Sequence, residues 1–170
     1  MSILKIVKER RSIRDFEKRD IPEDIIDGLI EALIWAPSAG NLQSRKFFFV
    51  KDDKLKKGLA SAALNQRFIA EAPLVIVGCT DSRIYSRYGD RGVNLYAIQD
   101  VACSIMNMML VAWENGLGTV WVGAFREGEV SEVLDLSHNL RPVAIVPVGY
   151  PARIPSPPPR VSKKMAVEFR

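Results

Sequence analysis

Residues 93–115 read VNLYAIQDVACSIMNMMLVAWEN and predict one long helix that is apolar around most of its circumference. Gly116 follows directly, and glycine is a residue that commonly ends a helix. A helix with so little polar surface must be covered on most sides. We therefore expect this helix to form the core of the fold, with part of its cover supplied by a second subunit.

Shorter periodic segments around this helix predict a chain that mixes helices with strands. Apolar residues spaced three and four apart predict one helix over 3–10 and another over 22–37. A third helix should follow Asp52, whose side chain is suited to cap it, and residues 130–134 are at most a modest helix. Short apolar runs predict four strands, over 47–50, 74–77, 119–122 and 143–148.

Composition limits the classes of protein to which the chain can belong. Its 170 residues, 48% of them apolar, are typical of one globular domain over 1–170. The net charge of +4 is mild and basic residues are not interleaved with aromatic ones, so we expect no nucleic-acid partner. Cys79 and Cys103 lie in apolar surroundings, which is typical of buried thiols in a reducing compartment. Without a signal-peptide pattern or a long apolar span, we expect a cytoplasmic protein that has no membrane partner.

A cluster of cations stands just after the first predicted helix, in the sequence RRSIR at residues 10–14. Three guanidinium groups so close together repel one another unless an anion compensates them. The planar fork of a guanidinium matches two oxygens of a phosphate, so a phosphorylated ligand is the natural partner. By itself the cluster is more typical of a solvated basic turn, since a run of charges usually faces solvent.

Most reaction types are excluded because the residues that would perform them are missing. His138 is the single histidine and has no neighbours suited to a metal site or a catalytic triad. The Gly116-Leu117-Gly118 segment does not extend to a dinucleotide-binding fingerprint. A chain so poor in nucleophiles and bases either is not an enzyme or takes its chemistry from a cofactor.

Six short motifs, taken in their order and spacing, resemble the flavin-dependent nitroreductase family along essentially the whole chain. They are RRSIR at 10–14, APSAGNLQ at 36–43, NQ at 65–66 before AP at 72–73, QD at 99–100, GLGTVWVGAF at 116–125, and GYP at 149–151 with Arg160 downstream.

The resemblance implies that two subunits hold FMN between them, with a role for each matching residue. The phosphate and ribityl chain would be held by Arg10, Arg11, Ser12, Arg14 and Arg160. A loop of the other subunit would contact the flavin through Pro37, Ser38, Ala39 and Asn41. The pyrimidine edge would meet Asn65 and Gln66. The strand end that offers a backbone N–H to flavin N5 would consist of Trp121, Val122, Gly123 and Ala124.

The fold implied by the resemblance is of the α+β class, with three αβα layers. Its mixed central sheet would have about four strands flanked by helices. The proline-rich residues 151–170 cannot fold back compactly, so we expect an arm that extends over the partner subunit of a homodimer. The implied activity is transfer of a hydride from NAD(P)H through flavin N5 to a small electron-poor acceptor such as a nitroaromatic or a quinone. This ping-pong cycle would need no catalytic side chain and no metal.

The sequence departs from the pattern of that family at two places. Many relatives have Pro-Trp after the glutamine of the second motif, where this chain has Ser44-Arg45. Some have a lysine three residues after the asparagine, where this chain has Phe68. Because reduced flavin carries negative charge, we expect Arg14 to supply the compensating cation.

Two other functions remain open. Relatives with the same scaffold fragment flavin with oxygen or dehalogenate aromatic substrates, and a binding module would hold FMN without turnover. Residues 81–91, with Tyr85 and Tyr88, are expected either at the pocket rim or in an ordinary surface loop.

Overall fold

The computed structural model describes residues 2–170, and a four-stranded sheet lies at its centre. The strands are β1 (Arg45–Val50), β2 (Leu74–Asp81), β3 (Gly118–Thr119) and β4 (Leu140–Gly149). Their spatial order is β1-β2-β4-β3, and every neighbouring pair is antiparallel. The expected mixed sheet is therefore wrong for these strands, because the connection between β1 and β2 returns the chain to the same end of the sheet. One parallel pairing is a bridge between Ser12 and Thr119.

All four predicted strands are present, but their ends differ from the prediction. β2 continues to Asp81 because its last residues, although polar, still pair with β4. The predicted strand over 119–122 is divided, since β3 ends at Thr119 and Val122 then forms a single bridge with Ile145. Val120 and Trp121 lie between these two pairings and belong to no strand.

Residues 2–170 form eight α-helices, and the predicted helices are among them. Asp52 begins the third helix by accepting a hydrogen bond from the Leu55 N–H at 2.9 Å, as its position in the sequence predicts. The helices are α1 (Ile3–Glu9), α2 (Glu23–Ile34), α3 (Asp53–Ala62), α4 (Phe68–Glu71), α5 (Tyr85–Arg91), α6 (Ala97–Glu114), α7 (Glu127–Val133) and α8 (Lys163–Ala166).

The long helix expected over 93–115 begins later than predicted. α6 starts at Ala97, and one π-helical turn, Gly92–Tyr96, joins it to α5. Gly89 interrupts α5 with a φ of 54°. Residues 82–91 are thus helical rather than a loop, although their polar sequence shows no apolar stripe that could have predicted a helix.

Alternate side chains of the sheet face two separate hydrophobic cores, which confirms the three αβα layers. In β2, Leu74 and Ile76 pack with α2 and α6. Val75 and Val77 point the other way and pack with α3, α4 and α7. The period of two along the strand therefore decides which helices cover which face of the sheet.

One face of α6 is buried against the sheet and the opposite face is open. Val101 and Ile105 have no exposed surface. Cys103 and Met106 lie on the exposed face, so the expectation of a buried thiol is wrong for Cys103. Cys79 is buried as expected, and burial raises the pKa of its thiol to about 12. Cover of the open face by a second subunit stays a prediction.

The helical run Ser82–Glu114 is long and apolar enough to cross a membrane by length and composition. A core helix of a globular domain meets the same criteria, so this is weak evidence for a membrane span. The packing of α6 against β2 accounts for its apolar character here.

The proline-rich segment after β4 makes backbone contacts within its own chain. Pro151 forms a bridge with Phe16, and the Ala152 N–H donates to the Asp15 carbonyl at 3.0 Å. The start of the arm therefore folds back against residues 15–16, whereas residues 152–160 are exposed and form no helix or strand. Residues 161–170 are exposed and include α8, and their extension over a partner subunit stays a prediction.

Close packing between α6 and the sheet predicts a strong effect of adding a side chain at Gly78. A Cβ there would lie 2.8 Å from Ile105 Cδ1 and 2.9 Å from Val101 Cγ1. We expect Gly78→Val to lower the free energy of unfolding by about 1–3 kcal/mol in urea denaturation.

The matched control is Gly28→Ala in α2, where an added Cβ meets no atom within 4 Å. We expect that substitution to raise the free energy of unfolding by about 0.5–1 kcal/mol, because it removes a flexible residue from a helix. A Gly78→Val protein as stable as the wild type would contradict the packing described.

Candidate functional site

Four arginines meet in one cleft at the end of α1. The cleft has a volume of about 320 Å³ and is called the arginine cleft below; its lining residues are Arg10, Arg11, Ser12, Arg14, Pro155, Ser156, Pro158 and Arg160. The fold thus brings the N-terminal motif together with an arginine almost 150 positions away in the sequence. This proximity was expected from the resemblance, and the folding back of the arm produces it within one chain.

The charges in the arginine cleft oppose one another. Burial lowers the pKa of Arg10, and the positive charges of Arg160 and Arg11 lower it further. No carboxylate contributes to this shift. The guanidinium groups of Arg10, Arg14 and Arg160, together with the Ser12 hydroxyl, match the oxygens of a phosphate, whose charge would offset the repulsion. The donor set of the cleft therefore fits a phosphate group.

Arg11 differs from its neighbours because its guanidinium also holds the end of α1. Its Nη1 lies 2.7 Å from the Lys8 carbonyl oxygen, 2.8 Å from that of Glu9 and 2.9 Å from that of Arg10. These are carbonyl groups at the end of the helix, where intrahelical partners are missing. Arg11 thus stabilises the turn that presents Arg10 and Ser12 to the cleft.

A short backbone pairing connects the arginine cleft to the end of β3. The Ile13 N–H donates to the Thr119 carbonyl at 3.0 Å, beside the bridge formed by Ser12. Ile13 is fully buried, and its side chain fills the space where a Cβ of Gly118 would lie. The cationic motif therefore lies next to the segment that leaves β3 and continues into residues 121–124.

The segment 121–124 offers backbone groups to solvent. Val122 is buried and bonds Ile145 in both directions, at 2.9 and 3.0 Å. Gly123 and Ala124 follow, both exposed, and their N–H groups have no acceptor among residues 2–170. Trp121 is 39% exposed beside them. The strand end can thus donate hydrogen bonds to a ligand.

The segment at 65–68 borders both the strand end and the cleft. The side-chain amide of Gln66 donates to the carbonyls of Ala63 at 2.9 Å and of Ala124 at 3.2 Å. The guanidinium carbon of Arg14 lies 5.9 Å from the ring centroid of Phe68. The arginine cleft, the strand end and Gln66 therefore form one continuous surface.

Asn65 faces a neighbouring cleft rather than Ala124. Its backbone is left-handed, with a φ of 60°, a conformation that asparagine tolerates better than most residues. The cleft that it lines lies between α3 and α4, has a volume of about 580 Å³, and includes Lys57 and Arg67. Its predicted contact with a pyrimidine edge stays a prediction.

The loop at 37–41 is bonded to another part of the chain. The Ala39 N–H donates to Asp100 Oδ1 on α6 at 3.0 Å. Arg45 Nη1 donates to the Pro37 carbonyl at 2.9 Å, and Ser38 Oγ accepts from the Gln43 N–H at 3.1 Å. These bonds connect the loop to α6 and β1, not to the arginine cleft. Within one chain, Pro37, Ser38, Ala39 and Asn41 thus stand apart from the other site residues.

No group of three potential metal ligands occurs in the part of the chain that the structure describes. His138 is exposed and follows α7 in a connecting segment before β4. The arrangement described above can bind and orient a ligand.

The model described as "Nitroreductase family" matches residues 7–67 and 60–150. The chain belongs to the nitroreductase family.

Relatives and solved structures agree with this assignment. The chain is 27% identical over 190 residues to an NADH dehydrogenase of Thermus thermophilus, covering 95% of this chain and 93% of that protein. It is 27% identical over 177 residues to an NAD(P)H FMN reductase of Bacillus subtilis, covering 95% of this chain and 71% of that protein. The structure of B. megaterium NfrA2 superposes with a TM-score of 0.90 at 28% identity, covering 99% of this chain and 74% of that chain.

Sequence reasoning missed three contributors to the site of this nitroreductase-family chain. Asp100 was noted as part of a motif without a role, and Arg45 only as a departure from the family pattern. Tyr88 was expected either at a pocket rim or in a surface loop, and its hydroxyl lies against Gly40 in the 37–41 loop. A buried acid in an apolar helix was the available signal for Asp100, whereas the contacts of Arg45 and Tyr88 depend on tertiary structure.

The buried carboxyl group of Asp100 predicts a pH dependence of stability in this nitroreductase-family chain. Burial raises its pKa, while the Ala39 N–H and the charge of Arg45 act in the opposite direction. Because its folded-state pKa lies above the unfolded value, the folded chain binds the proton more tightly. The contribution of Asp100 to the free energy of unfolding therefore increases as the pH falls through the raised pKa.

Asp100→Asn removes this titration, so its effect is measured as a difference from the wild type. We expect the free energy of unfolding of the wild type, relative to Asp100→Asn, to increase between about pH 7 and about pH 4 in urea titrations. A constant or decreasing difference would contradict the raised pKa.

Proposed function

We propose that this chain is an FMN-dependent oxidoreductase that takes hydride from NAD(P)H and delivers it to a small electron-poor acceptor such as a nitroaromatic or a quinone. The observation that carries this proposal is the arginine cleft and its direct connection to the exposed N–H groups of Gly123 and Ala124. A phosphate site and a row of ring-facing donors on one surface suit a flavin mononucleotide, which has a phosphate at one end and a planar ring at the other.

The residues present fit the phosphate end of FMN. Arg10, Arg14 and Arg160 would bind the phosphate through charge-assisted hydrogen bonds, which are stronger than those between neutral groups. Ser12 adds a hydroxyl at the cleft wall. Arg11 stabilises the last turn of α1, which precedes Arg10 and Ser12, by donating to its carbonyl groups. Burial and, after it, the charges of Arg160 and Arg11 lower the pKa of Arg10, and binding of a dianion here would relieve the repulsion among these charges.

The other end of the same surface suits the ring. The exposed backbone N–H groups after Val122 lie where the chain leaves the sheet, and pairing with Ile145 fixes their direction. The Gln66 amide adjoins Ala124, and Asn65 is the residue before Gln66 in the chain. Fixed backbone donors bind a ligand without the entropy cost of ordering a side chain.

No side chain of this chain needs to act as a catalytic acid or base. FMN, when bound, supplies an atom that accepts hydride from the nicotinamide and returns it to the acceptor. The residues of the site bind and orient, and holding two reactants in a defined geometry lowers the barrier substantially. A single open position used in turn by donor and acceptor gives ping-pong kinetics.

A homodimer would complete the site with the 37–41 loop of the partner. That loop is bonded to α6 and β1 of its own chain and stands apart from the arginine cleft. The open face of α6, with Cys103 and Met106, provides apolar surface for a second copy. Homologues named NADH dehydrogenase and FMN reductase support the redox activity and the nicotinamide donor.

The experiment that tests this function combines flavin binding with anaerobic reduction. The purified protein is saturated with FMN, and NADH or NADPH is added without oxygen while the flavin absorbance is recorded. We expect bleaching, followed by recovery when a quinone or a nitroaromatic compound is added. Failure to bind FMN would overturn the proposal. Bound FMN that stays yellow with both donors would indicate a binding module. If oxygen is then admitted to the reduced protein, permanent loss of the flavin absorbance would indicate flavin fragmentation.

Arg160 provides a prediction for the cofactor's phosphate. We expect Arg160→Ala to raise the Kd for FMN by about tenfold or more, because a charge-assisted hydrogen bond to the phosphate is lost. The difference should shrink at high salt, where the charge of the arginine is screened. Fluorescence titration of FMN measures both effects.

Arg153→Ala is the matched control, since Arg153 lies in the same arm outside the arginine cleft. It removes the same charge and should leave the Kd within about twofold of the wild type. Equal effects of the two substitutions would refute a direct contact between Arg160 and the phosphate.

A further inference from the structure

The chain between α2 and β1 has an unusual backbone that something must hold in place. Gly40, Asn41 and Gln43 have φ values of 56°, 54° and 53°. Left-handed conformations cost energy for residues other than glycine and persist where the surroundings fix them. The surroundings of residues 36–43 therefore determine the shape of this loop.

Arg45 bonds three carbonyl groups at the start of the loop. Its Nη2 donates to Ile34 at 3.1 Å and to Ala36 at 2.7 Å, and its Nη1 donates to Pro37 at 2.9 Å. Ile34 is the last residue of α2, whose final carbonyls have no partner within the helix. A positive charge at a helix C-terminus is also favoured by the helix dipole. One guanidinium thus both caps α2 and fixes the direction in which the chain leaves it.

Asp100 holds the other side of the loop. Its Oδ1 accepts the Ala39 N–H at 3.0 Å. The side chain is buried, and Oδ2 has no hydrogen-bond partner in the described residues. A buried carboxylate with one free oxygen is costly unless a positive charge lies near, and the charge of Arg45 acts on it. The two residues flank the loop with opposite charges.

Tyr88 closes the remaining side. A Cβ at Gly40 would displace the Tyr88 hydroxyl group, and the φ of 56° at Gly40 itself favours glycine. The loop is consequently confined by β1, α5 and α6, and its exposed Asn41 projects from a fixed base. Ser44-Arg45, which departs from the family pattern, is what supplies the guanidinium.

We propose that Arg45 and Asp100 are positioning residues that hold the 37–41 loop in the left-handed shape with which it contacts the isoalloxazine ring bound to a partner subunit. This inference rests on the proposed function for its ligand. The bonds of Arg45 and Asp100 to the loop, called the clamp below, are present in the protein alone. Arg45 and Asp100 touch neither the arginine cleft nor the strand end, so their effect on flavin passes through the loop. Flavin affinity should depend on them, and the reduction step at saturating FMN should not.

The first measurement needs no flavin. Hydrogen–deuterium exchange over residues 36–44 is followed in the wild type, Arg45→Gln and Lys46→Gln. Lys46 is exposed on the same strand, so its substitution removes an equal charge without touching the loop. We expect exchange to be about tenfold faster in Arg45→Gln and unchanged in Lys46→Gln. Equal protection in the wild type and Arg45→Gln would overturn the clamp, whether or not the protein binds flavin.

The second measurement is the Kd for FMN, with conservative substitutions as controls. Arg45→Gln and Asp100→Ala should each raise it by about tenfold or more. Arg45→Lys should not restore affinity, because a lysine cannot bond three carbonyls with a planar fork. Asp100→Asn should restore it, because the asparagine oxygen can still accept the Ala39 N–H. At saturating FMN, kcat should stay within about twofold of the wild type in all four variants.

The outcomes separate the clamp from the proposed function. Loss of loop protection in Arg45→Gln together with a wild type that binds no FMN would support the clamp and refute the proposed function. Loss of protection with an unchanged Kd for FMN would refute the role of the loop in flavin binding. Should Arg45→Gln fail to fold, Arg45→Lys provides the same comparison while keeping the charge. A fall in kcat at saturating FMN would show a direct role in the reaction and overturn positioning.

Discussion

The burial of Ile13 against Gly118 is the contact on which the candidate site depends. Ile13 has no exposed surface, and its side chain lies where any Cβ of Gly118 would have to be. That contact allows the Ile13 N–H to pair with the Thr119 carbonyl, so the cationic motif is fixed beside the end of β3. The arginine cleft and the exposed backbone donors of Gly123 and Ala124 become adjacent because a small residue lets two backbones approach.

The candidate site combines the positive charges of the arginine cleft with backbone donors whose direction is fixed. The arginine cleft concentrates positive charge that its own residues do not neutralise, since the charges near Arg10 are Arg11 and Arg160. The strand end contributes no charge but has its direction fixed by the pairing of Val122 with Ile145. A ligand that satisfies both must be anionic at one end and rich in hydrogen-bond acceptors at the other. FMN has that shape and charge distribution.

The fold was largely predictable from the sequence because its elements have strong local signals. The apolar circumference of α6, the cap at Asp52 and the continuous apolar run of β2 are all local patterns in the sequence. Strand direction and the helical state of α5 were not predictable, since antiparallel pairing and the packing of a polar helix depend on distant contacts. The resemblance predicted that Arg10 and Arg160 lie together. The bonds of Arg45 to three carbonyl groups could not be predicted, because they depend on tertiary structure.

The most direct test of the account is a comparison of FMN with riboflavin, which has the same ring and lacks the phosphate. Titration of the flavin-free protein by fluorescence measures both dissociation constants under identical salt. The arginine cleft predicts that FMN binds at least about a hundredfold more tightly than riboflavin and that the ratio falls as salt is added. Equal affinities for the two flavins, or binding of neither, would contradict the account.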